Sequence, residues 1–390
     1  MSTDASTTAR RAAVIYNPIK VDLDQLRAAV EAEETAAGWQ PSLWLETSKE
    51  DPGQGVASEA VEAGVDMILA AGGDGTVRAV AEAMHESSAS LALLPSGTGN
   101  LLARNLQLTL DDLPNSVHVA FAGEDRDIDL GLIEIEDEAG ETKKYAYVVM
   151  AGLGLDAKML SGTDEDLKAK VGWLAYVKAI TTAFAGNDDL RFTYRLDGAA
   201  PKSMRAHTLI VGNCGSLPAN IVLLPDATID DGEFDILLLR PQNVLGWIQI
   251  FGKVLWENGI VRRTVLGEKL PPAEIHSLRY VRAKKLSVEL ETPQEIELDG
   301  DPFGIAAALK TWVKPGGLTV RVPTEEDRAT AAATLASVGS GIAASVQDSA
   351  AAAREAIDAL PVTRPRWGVL AVAAVTIGAV VTLIVRNKKR

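Results

Sequence analysis

Two glycine-rich turns, each placed directly after a short apolar run, constrain the fold of this chain most strongly. Residues 65–71 (VDMILAA) lead into residues 72–76 (GGDGT), and residues 91–94 (LALL) lead into residues 95–100 (PSGTGN). A continuous apolar run bounded by glycine is typical of a strand buried on both faces of a parallel sheet. Two consecutive strand–turn–helix units place both turns at the same carboxyl edge, where open α/β sheets bind ligands. Because glycine permits close backbone approach and helix N-termini favour phosphate, the pair predicts a polyphosphate ligand.

The composition describes a globular protein and argues against nucleic acid as a partner. The 390 residues are 47% hydrophobic and 23% charged, which is enough for more than one core. The formal net charge of −15 disfavours nucleic acids, which proteins bind through surplus Lys and Arg. The single cysteine, Cys214, cannot form an internal disulfide and suits a reducing compartment. The four histidines lie far apart, so a histidine-built zinc site is not expected.

The two ends of the chain differ in character from its middle. Residues 1–10 lack the apolar stretch of a signal peptide and are expected to form a disordered lead. Residues 324–366 are rich in alanine and are interpreted as a partly helical linker. Residues 367–385 carry no charged side chain and would span the ~30 Å hydrocarbon core as a helix. We therefore expect a single-pass transmembrane anchor that holds the protein at the cell membrane, with its folded body in the cytoplasm.

Between these ends the pattern of elements changes once, near residue 125. Residues 11–125 alternate short apolar strands with helical patterns, including a helix over residues 22–37 with Asp22 as its N-cap. This alternation predicts a doubly wound, parallel α/β domain. Residues 126–323 carry short β-branched or alternating runs and predict a mostly antiparallel β-sandwich domain. Within that second domain, helices are expected over residues 165–184, 244–257 and 304–310.

The common nucleotide-binding signatures are absent from the sequence or misplaced in it. No G-x-x-x-x-G-K-[ST] segment occurs, so a P-loop lysine is excluded. Residues 152–157 (GLGLDA) fit G-x-G-x-x-A but lie among predicted antiparallel strands rather than in a βαβ unit. We interpret them as a tight turn that leads toward the helix expected from residue 165.

The order and spacing of several segments resemble the diacylglycerol kinase catalytic family, which includes bacterial lipid kinases and sphingosine kinases. Asn17-Pro18 and Thr47 precede the GGDGT turn at residues 72–76, and the PSGTGN turn at residues 95–100 follows it. The later matching segments are residues 211–213 (VGN), 225–235 (PDATIDDGEFD) and 298–301 (LDGD), the last standing where the family carries LDGE.

This resemblance extends from about residue 10 to residue 323. It implies a nucleotide-binding domain over residues 11–125 and a lipid-substrate domain over residues 126–323. It also implies an enzyme that uses ATP with bound Mg²⁺ and transfers the γ-phosphate to the hydroxyl group of a lipid.

The family pattern implies a set of residues that contact the nucleotide. Asp74 would handle Mg²⁺ bound to the phosphates, because a carboxylate repels a polyphosphate unless a cation lies between them. A plain helix N-cap is the alternative interpretation of Asp74. Lys20 stands where the family carries a small pair after Asn-Pro, and it could offer phosphate a point charge. The other implied contacts are Asn17, Pro18, Thr47, Gly72, Gly73, Gly75, Thr76, Ser96, Gly97, Thr98 and Asn100.

Phosphoryl transfer to a hydroxyl also needs a group that takes the proton of the acceptor. By resemblance this base is Asp301, which stands at the position of the glutamate in LDGE. The aspartate is one methylene shorter, so either the acceptor lies farther away or the backbone comes closer. Asp299 is the neighbouring carboxylate and could support Asp301. A plain Asp-Gly turn, with neither residue in catalysis, is the alternative interpretation.

A second cation site is implied by the acidic segment at residues 225–235. Asp231, with backbone carbonyls near Thr228 and Glu233, matches the structural Mg²⁺ site of the family. The segment is dense in carboxylate oxygens, which are ligands that Mg²⁺ prefers. A solvated acidic turn is the alternative interpretation.

The identity of the acceptor is open at this stage. Diacylglycerol, giving phosphatidic acid, is the first expectation, and a sphingoid base, a polyprenol and a glycolipid are alternatives. Lipid entry would involve the apolar residues Trp173, Leu174, Tyr176 and Val177. Turns of the GGDG type also occur in NAD kinases, and a membrane-tethered nucleotide-binding regulator without turnover is a further alternative. Besides the lipid, the partner left open is a second copy of the chain in a homodimer.

Overall fold

The computed structural model describes most of the chain between its two ends. The described residues are 10–154, 190–217, 221–240 and 278–330. The helices expected over residues 165–184 and 244–257, with the apolar residues assigned to lipid entry, lie outside this described part. So do nearly all of the N-terminal lead and the linker beyond residue 330.

The N-terminal part alternates strands and helices, as its pattern predicts. Its elements are β1 (Arg11–Tyr16), α1 (Leu23–Ala36), β2 (Gln40–Glu46), α2 (Gln54–Glu62), β3 (Met67–Gly72), α3 (Asp74–Met84), β4 (Ser90–Pro95), α4 (Leu101–Asn105) and α5 (Leu113–Ala122). The four strands pair in parallel in the order β2-β1-β3-β4. The predicted parallel α/β arrangement is therefore confirmed.

Burial and capping explain why these elements form where they do. Val14 and Ile15 are successive residues of β1 on opposite faces of the sheet, and both are fully buried, as expected for a strand covered on both faces. Helix α1 begins after Asp22, whose carboxylate accepts a hydrogen bond from the backbone N–H of Gln25 at 3.1 Å. The predicted N-cap is therefore confirmed, and it satisfies a backbone donor that has no partner within the helix.

The second part of the described chain is made of strands. They are β5 (Glu124–Glu136), β6 (Thr142–Tyr147), β7 (Met150–Leu153), β8 (Leu190–Leu196), β9 (Lys202–Ala206), β10 (Thr208–Gly212), β11 (Ser216–Leu217), β12 (Ile221–Val222), β13 (Phe234–Leu239), β14 (Leu278–Ala283), β15 (Lys285–Leu298) and β16 (Asp301–Val322). These strands pair with one another in antiparallel fashion. The predicted antiparallel character of this part is therefore confirmed.

Strand β16 joins the two parts into one sheet. Near its end, Val320 pairs in parallel with Leu91 of β4, so 14 of the 16 described strands form one sheet, while β11 and β12 pair separately. The chain divides by contacts into one compact unit, Met1–Pro323, and a second, Thr324–Arg390. The domain boundary placed near residue 125 stays a prediction.

The helix predicted over residues 304–310 is wrong, because these residues belong to β16. The run is rich in alanine, which favours a helix when the chain is considered locally. In the folded protein the run pairs on one side with β15, where Ala308 faces Glu289, and on the other with β5, where Ala308 faces Glu136. Pairing on both edges outweighs a local preference of a few tenths of a kcal/mol per residue.

The transmembrane anchor predicted over residues 367–385 is not supported, and the fold class is corrected accordingly. No helix in the described part of the chain is both long and apolar enough to cross a bilayer. The 14 residues of α1, for example, fall short of the ~20 that a spanning helix needs. Residues 367–385 themselves lie outside the described residues. The single-pass membrane localisation deduced from that anchor is corrected with it.

Asp299 and Gly300 form the two-residue turn between β15 and β16. Their φ angles are 52° and 92°, the left-handed pair that a type I′ hairpin turn requires and that Asp-Gly favours. Leu298 and Asp301 pair directly across the turn. The turn therefore places Asp301 at the first position of β16, next to a rigid two-residue loop.

The carboxylate of Asp299 anchors this turn in the interior. Its Oδ2 accepts a hydrogen bond from the N–H of Val148 at 2.9 Å, and its Oδ1 accepts from Val149 at 2.8 Å and Met150 at 2.9 Å. The side chain is only 3% exposed. One buried carboxylate thus satisfies three backbone donors in the connection between β6 and β7.

We expect Asp299→Asn to lower the free energy of unfolding by about 1–3 kcal/mol, because an amide cannot accept all three N–H bonds and turns a donor toward one of them. Asparagine tolerates the left-handed backbone, so the substitution isolates the lost acceptor. Urea unfolding at pH 8, where the carboxyl of Asp299 is ionised, measures the change.

The matched control is Asp197→Asn. Asp197 is also left-handed and accepts two backbone N–H bonds, from Lys284 and Lys285, but it is exposed, so water can replace it. Equal losses in the two variants would contradict the anchoring role of Asp299.

Candidate active site

The two glycine turns face each other at the carboxyl edge of the parallel strands. Gly72 pairs with Pro95 across β3 and β4, and the N–H of Ser96 donates to the carbonyl of Gly72 at 3.2 Å. A Cβ on Gly97 would lie 2.8 Å from the Cα of Gly73, so only glycine fits at this approach. The sequence-based prediction that both turns share one edge is therefore confirmed.

Asp74 ties the first turn to the second. Its carboxylate accepts hydrogen bonds from the N–H of Asn100 at 2.9 Å and of Leu101 at 2.5 Å. Asp74 therefore caps α4 rather than its own helix α3, and the side chain stays half-buried between the turns. Burial raises the pKa of this carboxyl, the two N–H donors oppose that rise, and the nearby Asp301 carboxylate adds to it.

Asn100 closes the second turn on itself. Its backbone is left-handed, with φ of 48°. Its side-chain Oδ1 accepts from the N–H of Gly97 at 3.0 Å, while its Nδ2 donates to the carbonyl of Gly97 at 2.8 Å. The amide of Asn100 thus shapes the turn, and its direct contact with the nucleotide stays a prediction.

The remaining predicted nucleotide contacts lie along the same edge. Asn17 follows β1, donates its N–H to the carbonyl of Ala71 at 2.9 Å, and accepts the N–H of Ile19 on its Oδ1 at 3.0 Å. Thr47 follows β2 and is buried. The exposed members of the set are Pro18, Lys20 and Thr98, and the half-buried or buried ones are Gly72, Gly73, Gly75, Thr76, Ser96 and Gly97.

Asp301 reaches this edge from the other part of the sheet. A Cβ on Gly75 would lie 2.6 Å from Oδ2 of Asp301, so the carboxylate rests directly on the first turn of α3. The backbone of α3 therefore comes close to the shorter aspartate side chain, and the role of Asp301 as the base stays a prediction. Partial burial raises the pKa of the Asp301 carboxyl, and the Arg78 guanidinium opposes that rise.

Asp299 lies two residues from Asp301 but faces the interior. All three of its hydrogen bonds go to backbone donors, and burial raises its pKa to about 6 while those donors and Arg78 oppose the rise. The structure therefore gives Asp299 a structural position beneath Asp301, and a direct catalytic role stays a prediction.

The predicted cation segment forms a separate loop. Oδ1 of Asp231 accepts the N–H of Glu233 at 3.0 Å, and the hydroxyl of Thr228 donates to the carbonyl of Asp226 at 3.5 Å. Two neighbouring carboxylates are ion-paired, Asp230 with Arg126 and Asp235 with Arg282. Within the described residues no three acidic, histidine or cysteine side chains cluster as a metal site would need.

Sequence reasoning missed two buried charged residues that organise the site. Asp129, on β5, is 2% exposed and accepts the N–H of Gly232 at 2.6 Å and of Gly316 at 2.9 Å, which holds the acidic loop. Arg78, on α3, is 8% exposed and lies beside Asp301. The signal available for both was a charged residue at an inward position of an otherwise apolar pattern.

Comparison with known proteins places this geometry in a family. Residues 11–133 match the model of the diacylglycerol kinase catalytic domain, and residues 148–322 match that of the YegS C-terminal NAD kinase β-sandwich-like domain. A protein named "probable lipid kinase YegS-like" from Pseudomonas syringae pv. syringae (strain B728a) is 31% identical over 330 residues, covering 82% of this chain and 95% of that protein. A protein of the same name from Pseudomonas fluorescens (strain Pf0-1) is 30% identical over 323 residues, covering 81% and 94%.

Solved structures share the fold. A crystal structure of a diacylglycerol kinase from Bacillus anthracis str. Sterne matches with a TM-score of 0.61 at 22% identity, covering 81% of this chain and 98% of that one. The resemblance drawn from the glycine turns and the LDGD segment is therefore confirmed. The chain belongs to the diacylglycerol kinase catalytic-domain family, with YegS-like proteins as relatives, and is an ATP-dependent lipid kinase.

Proposed function

We propose that this lipid kinase phosphorylates the hydroxyl of diacylglycerol to give phosphatidic acid, and that Mg²⁺ accompanies the ATP. The observation that carries the proposal is the position of the Asp301 carboxylate on Gly75, where a proton acceptor meets the phosphate-binding turn. The family description, which names diacylglycerol, supports the choice of acceptor.

The facing turns are suited to hold a triphosphate. The first N–H groups of α3 have no partner within the helix and carry its positive end. Gly73, Gly75 and Thr76 lie at that end, Gly72 ends the strand before it, and we place Ser96, Gly97 and Thr98 on the opposite side of the phosphates. The remaining proposed contacts, at the ends of β1 and β2, are Asn17, Pro18, Lys20 and Thr47.

Asp74 fits the donor set that Mg²⁺ uses with nucleotides. Each of its oxygens accepts one backbone N–H and retains a second lone pair. One carboxylate plus phosphate oxygens and water is the usual magnesium environment in kinases. Bound there, Mg²⁺ would offset the negative charge of the phosphates.

Asp301 acts as the general base in this proposal. The lipid hydroxyl loses its proton to the Asp301 carboxylate as its oxygen forms a bond to the γ-phosphorus, and the bond to the β-phosphate oxygen breaks to release ADP. The helix α3 beneath Asp301 keeps the carboxylate near the phosphates, because Gly75 has no side chain to separate them. Asp299 contributes by holding the turn on which Asp301 stands.

The acidic loop is proposed as a structural cation site. Asp231 would bind Mg²⁺ together with backbone carbonyls of Thr228 and Glu233. The buried Asp129 already holds this loop by accepting the N–H of Gly232. A cation bound by Asp231 would hold the loop at a second point.

We expect the purified enzyme to transfer label from γ-labelled ATP to diacylglycerol in mixed micelles, and chelation of Mg²⁺ to abolish the transfer until the metal is restored. The comparison panel contains a sphingoid base, a polyprenol, a glycolipid and NAD. Preferential labelling of another lipid would reassign the acceptor, and labelling of NAD alone would contradict a lipid acceptor.

We expect Asp301→Asn to lower kcat by roughly 10²–10⁴ with little change in the KM for ATP, because an amide cannot accept the proton of the hydroxyl. Steady-state kinetics with saturating lipid measure both constants. Asp137→Asn is the control, since Asp137 caps the distant β5–β6 hairpin through the N–H groups of Ala139 and Glu141. A loss confined to the KM for ATP would assign Asp301 to nucleotide binding instead.

We expect Asp74→Asn to lower kcat by at least 10²-fold and to raise the Mg²⁺ concentration that is needed, because the variant loses a charged metal ligand. Activity measured over a Mg²⁺ titration tests this. The control is Asp112→Asn, in which Asp112 caps α5 through the N–H of Asn115. If both variants show only a small drop in thermal stability and normal activity, Asp74 is a helix cap and no more.

A further inference from the structure

Arg78 is a buried cation enclosed by described residues next to the proposed base. It lies on α3, one helical turn after Gly75, so both residues lie on the same side of the helix. Its guanidinium carbon stands 4.4 Å from the centre of the Phe303 ring, and Nη1 lies 2.8 Å from a carboxylate oxygen of Glu82. Phe303 follows Asp301 by two residues on β16, where alternate side chains share one face.

Helix α3 thus touches the start of β16 twice. At Gly75 the helix backbone lies against the Asp301 carboxylate, and at Arg78 the guanidinium lies over the Phe303 ring. The second contact adds a cation–π attraction between helix and strand, because the flat guanidinium lies over the ring.

The Arg78–Glu82 pair also holds the end of β6. Glu82 accepts the N–H of Ala146 at 2.8 Å, and Nη1 of Arg78 donates to the carbonyl of Ala146 at 3.4 Å. Two residues later begins the segment whose N–H groups bind Asp299. The contacts therefore form a closed ring, which runs from α3 through β6 and the Asp299 turn to Asp301 and back to Gly75.

The positive charge of Arg78 acts on the two carboxylates at the β15–β16 turn, Asp299 and Asp301. The side chain is almost completely buried, and its Nε has no hydrogen-bond partner among the described atoms. The guanidinium lowers the pKa of both Asp299 and Asp301, against the burial that raises them. Because Glu82 and the Phe303 ring already hold the guanidinium, we place its effect on the reaction in these neighbours.

We propose that Arg78 is a positioning residue of the phosphotransfer site, which holds the Asp301 carboxylate against the first turn of α3 from below. The inference rests on the proposed role of Asp301 as the base. It assigns to Arg78 a contribution to the chemical step rather than to nucleotide binding.

A double-mutant cycle on kcat tests this inference. Arg78→Met keeps an unbranched side chain that fills the place of the arginine stem but removes its charge and its donors. We expect Arg78→Met to lower kcat roughly tenfold with the KM for ATP unchanged, and to cause no further loss in an Asp301→Asn background, because coupled residues are not additive. Arg78→Lys, which restores the charge without the flat fork, should recover part of kcat.

The matched control is Arg27→Met on α1. Arg27 makes the same kinds of contact as Arg78, a stacking over Trp44 at 4.2 Å and a pairing with Glu31 at 3.9 Å, but far along the chain from the proposed base. We expect wild-type kcat in this variant. If Arg78→Met does not fold, Phe303→Leu removes the ring beneath the guanidinium and enters the same cycle.

Two results would overturn the inference. One is an equal loss of kcat from Arg78→Met in both backgrounds, which is the behaviour of a residue that only supports the fold. The other is wild-type kcat in Arg78→Met. Wild-type kcat in Asp301→Asn is a distinct result. It would show that Asp301 is not the base, so the proposed function of Asp301 would fail together with the role of Arg78 that rests on it.

Discussion

The buried carboxylate of Asp299 is the interaction on which the rest of the site depends. An unpaired backbone N–H in the interior costs about 1–3 kcal/mol, and this one side chain satisfies three of them. In doing so it joins the β6–β7 connection to the hairpin turn that begins β16. Asp301 is the first residue after that turn, so its position depends on this contact.

The second requirement is close approach without side chains in between. Gly97 contacts Gly73 where the two glycine turns approach each other, and Gly75 contacts Asp301 where helix α3 meets the hairpin. At each point a methyl group would collide with its neighbour. Asp74 then fastens the turns with a pair of charge-assisted hydrogen bonds. The glycines therefore allow these segments to come close, and the hydrogen bonds of the Asp74 carboxylate keep the two turns together.

Much of this arrangement could be predicted from the sequence because its signals are local. The Asp22 cap, the two glycine turns and the parallel strands before them follow from short-range geometry and from burial on both faces. The Asp-Gly pair at residues 299–300 also has a local signature. The helix expected over residues 304–310 failed for the complementary reason. Its alanines favour a helix locally, while β5 and β15 pair with it from distant parts of the chain.

The sequence by itself determined the family, through short segments spread from about residue 10 to residue 323, and it determined that both glycine turns lie at one edge of the parallel strands, because each turn and the strand before it are close together in the chain. Only the tertiary structure decided that Asp74 caps α4, that Asp299 faces inward, and that the buried Asp129 holds the acidic loop. These roles depend on partners tens to hundreds of residues away. The pattern of apolar and charged residues indicates whether a side chain is buried. Which groups it contacts in the interior depends on how the strands of the sheet pair.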